Sequence, residues 1–189
     1  MIIVVAAIAA VLSVPLTGRS LAPLAGLSLR HSWLIALALC TQVIITVVAG
    51  IPNWLGESLH VVTFGLAAGF VWANRRLPGM VLIAVGGGLN LLAIAANGGT
   101  MPASASAWRR AGLATDVDQF ENSHVIRHAR LPWLGDLFAV PKGWPLANVF
   151  SVGDVFIVIA IACFLHVWCR RSSAPAGDPA TAPPLVTAG

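Results

Sequence analysis

Charge is what this sequence has least of. Lys, Arg, Asp and Glu together make up 10% of 189 residues, against about a quarter in a soluble domain. Such a chain cannot cover an apolar core with a solvated shell. Lysine is nearly absent, with ten Arg beside the single Lys142. The pI near 9.8 would suggest nucleic acid in a soluble protein, but six of the ten arginines lie near the ends of apolar runs, where they set membrane orientation. Asp116, Asp118, Glu121 and Asp136 dilute the four in the long loop. No nucleic-acid partner is therefore expected. Cysteine is scarce and odd in number: Cys40, Cys163 and Cys169 fall within or at the end of apolar runs, which excludes a disulfide framework. No Cys-x-x-Cys pair occurs, and no metal site or other cofactor is expected.

What is present is apolar: 58% of residues, with a mean hydropathy of +0.86. Five apolar stretches, at about 2–17, 33–51, 58–73, 79–96 and 151–169, approach the roughly 17–25 residues of a spanning helix. The third is the shortest. The first lacks a basic leading segment and a small-x-small cleavage site and is followed by Arg19 and Arg30, so it reads as a retained helix. The expected fold is all-α: an integral membrane bundle of five transmembrane helices with a long extracytoplasmic loop, 97–150. Residues 1–171 form a single transmembrane domain, and the Pro- and Ala-rich tail 172–189 is a disordered cytoplasmic end.

Arg19, Arg30, Arg75, Arg76, Arg170 and Arg171 all fall on one side of this arrangement, which makes that side cytoplasmic. The localisation is thus the cell membrane, multi-pass, with the amino terminus outside and the carboxyl terminus inside. Trp33, Trp72 and Trp168 fall at inner ends. Trp54, in an outer turn, and Trp108, Trp133 and Trp144, in the outer loop, populate the other interface.

Gly65 and Gly69 in span three, and Gly86 to Gly88 in span four, let helix backbones approach closely. They offer faces for packing, self-association or a membrane-protein partner. Asn90, in the middle of span four, should face protein, either to bond a neighbouring helix or to take part in chemistry.

The feature that most needs explaining is Asp154, a carboxylate at the mouth of span five. Ser151-Val-Gly153-Asp154 has the form of a capping box, with Ser151 as N-cap and Asp154 in the first turn, where it also suits the helix dipole. Asp136 and Asp154 would instead make a catalytic pair, one base and one acid, if the intervening segment folded back. His124 and His128 are four residues apart and would share a helical face. They could hold a metal with Asp136, but without a third ligand at defined spacing they read as solvated or interfacial. His60 and His166 sit at opposite ends of their spans, about 20 Å apart along the normal, which excludes a shared haem. His31, beside Arg30, is explained by its interfacial position.

The outer loop opens on Asn97-Gly98-Gly99-Thr-Met101-Pro102, which ends a helix and prevents its resumption. A short interfacial helix carrying Trp108 is expected over 103–112. The stretch 131–150, too apolar for solvent and too broken by proline to span, should lie on the outer face of the bundle.

Five segments, Gly86-Gly-Gly-Leu-Asn90, Asn97 to Ser104, Asn122-Ser-His124, Leu134-Gly135-Asp136 and Asn148-Val-Phe150-Ser151-Val-Gly153-Asp154, resemble the signature of a bacterial membrane-protein family known only as a domain of unknown function. That resemblance implies a multi-pass helical architecture and a motif-bearing face, with no established activity. Asn148 to Asp154 is also similar to the motif of lipoprotein signal peptidases, small membrane enzymes with two aspartates. The aspartate expected after their asparagine is absent here, since Ala93 and Ile94 occupy that region, and only Asp136 is left to supply it. The reading that follows is a non-enzymatic membrane protein, working in assembly, scaffolding or recognition of lipid or partner through its outer loop. Its alternative is a small aspartyl-type intramembrane hydrolase using Asp136 and Asp154.

Overall fold

The computed structural model describes residues 2–48, 50–113 and 123–171. Asn122 and the tail 172–189 lie outside them. Among the described residues the chain is mostly helical: α1 (Ile2–Leu16), α2 (Ser32–Val47), α3 (Asn53–Ala73), α4 (Met80–Ala96), the short α5 (Ala105–Ala111) and α6 (Val152–Arg171). Of these, α3 and α6 are long and apolar enough to cross a membrane; the remaining apolar helices, α1, α2 and α4, have 15, 16 and 17 residues.

The expected boundaries need correcting at the second and third stretches. α2 stops at Val47, not residue 51, and α3 begins at Asn53, directly after Pro52. Proline fixes the backbone just ahead of a helix without losing a needed donor, so Asn53 to Glu57 join the helix. The stretch expected to be shortest is therefore the longest, at 21 residues. Trp54, expected in a turn, sits in its first turn.

The all-α expectation is also corrected. Residues 97–150 carry two small sheets: β1 (Met101–Pro102) parallel to β2 (Ser123–His124), and β3 (Asp136–Val140) antiparallel to β4 (Asn148–Ser151). Pro141 and Pro145 occupy the hairpin's connecting turn, where neither interrupts a ladder. Helix α5 packs on this hairpin, and Ala103, Ala107, Trp108, Ala111 and Val149 form a small core. Trp108 is thereby buried inside the lobe, 7% exposed, instead of lying at an interface.

The long helices pack in the order α1, α6, α4, α3, α2, a row in which most members keep an uncovered apolar flank. The tightest seam is between antiparallel α4 and α6. A Cβ on Gly79 would lie 2.5 Å from the Ala160 carbonyl oxygen, and one on Gly86 would lie 2.5 Å from that of Gly153. Gly79, Gly86 and the fully buried Ala93 recur every seven residues, the spacing that keeps one helix face on its partner. Gly87, Gly88 and Gly65 face open space, and Gly69 meets only the Leu34 side chain at 3.4 Å. Of the small residues singled out by sequence, Gly86 is the one that brings two backbones together.

At the end of the row away from the lobe, His166 of α6 lies 2.8 Å from Ser13 Oγ and 2.8 Å from an Arg19 guanidinium nitrogen, joining α1 to α6. The indole N–H of Trp168 donates to the Pro23 carbonyl.

These contacts separate two glycine substitutions in one helix. Gly86→Ala forces a methyl against immovable backbone and should destabilise by about 1–3 kcal/mol. Gly87→Ala meets nothing and removes a flexible residue, so it should be neutral or stabilising by up to about 1 kcal/mol. Thermal melts of the two purified variants decide this; equal melting temperatures would contradict the seam.

Candidate functional site

Where α4 and α6 meet the lobe, three side chains close a ring. Ser151 N–H donates to Asp154 Oδ2 at 2.9 Å, and Asp154 N–H donates to Ser151 Oγ at 3.1 Å, so the capping box forms as its residues suggest. Ser151 Oγ in turn donates to Asn90 Oδ1 at 2.8 Å, and Asn90 Nδ2 donates to Asp154 Oδ1 at 2.7 Å. Both carboxylate oxygens of Asp154 accept, the amide is used at both ends, and the hydroxyl both gives and receives. Ser151 is fully buried and Asn90 nearly so. At such depth an unpaired polar group costs about 1–3 kcal/mol, and the ring satisfies each member.

Gly153 makes room for it. A Cβ there would collide with Asn90 Oδ1 and lie 2.5 Å from the Gly86 carbonyl. The two glycines and the asparagine are one device: small residues bring the helices close, and the amide fills the gap.

Asp136 starts β3 opposite Ser151, so the chain does fold back to bring the second aspartate beside the ring. Its side chain is 5% exposed and accepts from Ser123 Oγ at 2.6 Å. Burial pushes its carboxyl up to about 6; the Ser123 hydrogen bond pulls the other way, and the negative charge of Asp154 pushes it further up. No direct hydrogen bond joins the two carboxyls among the described residues. Asp154 is instead held as an acceptor at the start of α6, where the helix dipole favours negative charge.

The other motif residues fasten the lobe to the bundle. Asn97 caps α4: its Nδ2 donates to the carbonyls of Ala93 and Arg130, each at 2.7 Å, while Arg130 N–H donates to Asn97 Oδ1 at 2.8 Å. Gly98 and Gly99 turn the chain with positive φ, and at Gly99 a Cβ would strike Glu57 of α3. Met101 is buried against Ala93 and Ile94. Gly135 lies so close to the Pro102 carbonyl that a side chain there would overlap it. His124 is in β2, where its carbonyl accepts from Ala103 N–H at 2.9 Å, and His128 sits in a turn with positive φ. The shared helical face imagined for these histidines does not exist, and no group of three potential ligands that could hold a metal occurs among the described residues. Asn148 and Phe150 lie along β4 towards the hairpin turn; Phe150 stacks on Phe138 with ring centroids 5.3 Å apart. They belong to the lobe and not to the ring.

Sequence reasoning missed three participants. Ser123 was within a quoted motif, yet nothing local showed that its hydroxyl reaches Asp136. His60 Nδ1 donates to the Gly99 carbonyl at 3.1 Å; a histidine within an apolar helix was the available signal. Asn74 repeats the Asn97 device at the opposite end, exchanging two 2.9 Å hydrogen bonds with the Arg30 backbone.

With this geometry established, comparison with known proteins places the chain in the DUF5317 family, a family of unknown function, whose sequence profile matches residues 26–166. α1 precedes the matched stretch. The chain is also similar to an uncharacterized protein of Thermotoga maritima, 31% identical over 110 residues, 58% of this chain and 63% of that protein. The match thus spans less than two thirds of the relative's length. No solved structure matches.

The burial of Asp136 has a sign. A carboxyl whose folded value lies near 6 and whose ordinary value is 3.8 holds a proton that the unfolded chain releases between those two pH values. Stability therefore falls as pH rises from about 4 to about 6 and stays lower above it, by about 3 kcal/mol in all. Asp136→Asn, which can still accept from Ser123, should flatten this slope in melting temperature against pH. An unchanged slope would place the titration elsewhere.

Proposed function

We propose that the chain is a five-span membrane protein, amino terminus outside, whose outer lobe is a rigid recognition surface and not a catalytic one. The membrane reading is supported by what the helices leave uncovered. Only 22% of the α3 span and 28% of the α6 span is buried, far from the mostly covered core helix of a soluble protein. The shorter α2 and α4 also present apolar side chains outward, among them Val47 and Val81, 74% and 69% exposed. Lipid is the solvent that suits such surfaces.

The single observation that favours recognition over catalysis is the closed ring. Asp154 has both oxygens occupied by donors from its own fold, which leaves it shaped as a fastener. The surface it stabilises carries large exposed rings: Trp133, Trp144 and Phe138 stand out from the turns and the hairpin. The two indoles, each with a polar N–H, suit a headgroup layer or a protein partner, and Phe138 adds apolar contact area. Gly65, exposed on α3, offers a face for a second copy.

A photo-crosslinking residue placed at Trp133 or Trp144 in intact cells tests the reading. The expected outcome is a discrete adduct from these lobe positions and only lipid from Thr46 in α2. Lobe positions that yield no adduct would contradict a recognition surface. Topology is read alongside, since a cysteine at Ser106 should react with an impermeant maleimide and one at Ser28 should not.

A second reading rests on the effect of the Asp154 charge on Asp136. Two carboxyls that feel each other can share a proton and activate water, and the likeness of 148–154 to the signal peptidase motif points the same way. The substrate would be an extended polypeptide at the outer membrane surface. If this holds, Asp136→Asn and Asp154→Asn each abolish cleavage of a membrane-anchored peptide by the purified protein; absence of cleavage by the wild-type chain retires it.

A further inference from the structure

At the end of the bundle opposite the lobe, the segment between α1 and α2 and the turn between α3 and α4 border an open pocket of about 190 Å³. Arg30, Arg75 and Arg76 line it, together with Ser28 and Asn74, and no acidic side chain does. Three arginines border one space with no acidic residue in its lining, and an anion with several oxygens is the partner that suits such a grouping.

One wall of the pocket is fixed by a buried clamp, with the three arginines exposed around it. Asn74 is buried; its Oδ1 accepts from Arg30 N–H and its Nδ2 donates to the Arg30 carbonyl, so the two segments are clamped at the pocket itself. The same Asn74 Nδ2 also donates to the Phe70 carbonyl at 2.8 Å, anchoring the clamp to α3. Arg75 donates to the Trp72 carbonyl at 2.9 Å, and its guanidinium carbon lies 4.6 Å from the centre of the Trp72 ring. Trp72 and Trp33 are both exposed at this end, as expected for rings at a membrane interface.

We infer that this pocket binds a phosphate group, that of an anionic phospholipid headgroup or of a small phosphate-bearing solute. A phosphate has oxygen acceptors enough for more than one guanidinium, and in the lipid case Trp72 and Trp33 would border the glycerol and upper acyl region. The assignment to the cytoplasmic leaflet rests on the orientation proposed above, but the binding itself does not, so a test in detergent separates the two.

The purified full chain is compared by native mass spectrometry with phosphatidylglycerol or phosphatidylcholine at equal concentration, and by thermal melts with inorganic phosphate or chloride at matched ionic strength. The expected result is retention of phosphatidylglycerol over phosphatidylcholine, reduced about tenfold by Arg30→Gln with Arg76→Gln and little affected by the charge-matched Arg170→Gln with Arg171→Gln. Stabilisation by phosphate that the first pair abolishes assigns recognition to the phosphate group alone; stabilisation by lipid only assigns it to the headgroup in its membrane. Arg76→Gln alone, on an exposed turn, serves if the double variant does not fold. Equal retention of both lipids with no phosphate effect, or equal loss in the two pairs, overturns the site in favour of diffuse charge attraction.

Discussion

One amide between two helices organises the lobe end of this molecule. Asn90 would be a liability in the middle of an apolar helix if its groups were unpaired. It sits instead where Gly86 and Gly153 let α4 and α6 approach backbone to backbone, and it bonds both members of the cap that starts α6. Remove the glycines and the amide has no room. Remove the amide, and Ser151 Oγ and Asp154 Oδ1 lose partners at a depth where water does not readily replace them.

The lobe is built outward from that point. β4 runs directly into α6, so the cap that fixes the first turn of the helix also fixes the end of the hairpin. Asp136 lies across from Ser151, and its backbone carbonyl accepts from Ser104 N–H at 3.0 Å, which carries the constraint to the start of α5. The close approach of Gly135 to Pro102 and the Asn97 clamp on Arg130 tie the remaining strands to the end of α4. Backbone-shaping residues dominate this region because the task there is to bring segments far apart in sequence into register without a large core.

The apolar stretches located the long helices among the described residues, since burial and lipid exposure select the same residue types. They misplaced the start of α3 because Asn53 and Glu57 look like turn residues, while Pro52 determines where the helix begins. The capping box was legible for the opposite reason: Ser151 and Asp154 are three residues apart and their chemistry is local. Asn97 and Asn74 were not legible as clamps, because their partners are main-chain groups 33 and 44 residues distant and backbone leaves no signature in a sequence. The hairpin escaped for a related reason. Its prolines read as interruptions, although they fall in the turn, and the pairing of Asp136 with Ser151 depends on tertiary contact. Hence the return of Asp136 to a position across from Ser151 became visible only in the fold.

A ring in which all three side chains bond one another is a structural joint, and the proposed recognition role needs it to hold the lobe in one arrangement. Hydrogen exchange across β3 and β4 measures that coupling directly. If Asn90 holds the lobe, Asn90→Ala should sharply reduce amide protection from Phe138 to Ser151 while leaving the middle of α3 unchanged. Undiminished hairpin protection in that variant would contradict the account, and would mean that the lobe stands on its own core of Trp108, Val149 and the alanines of α5.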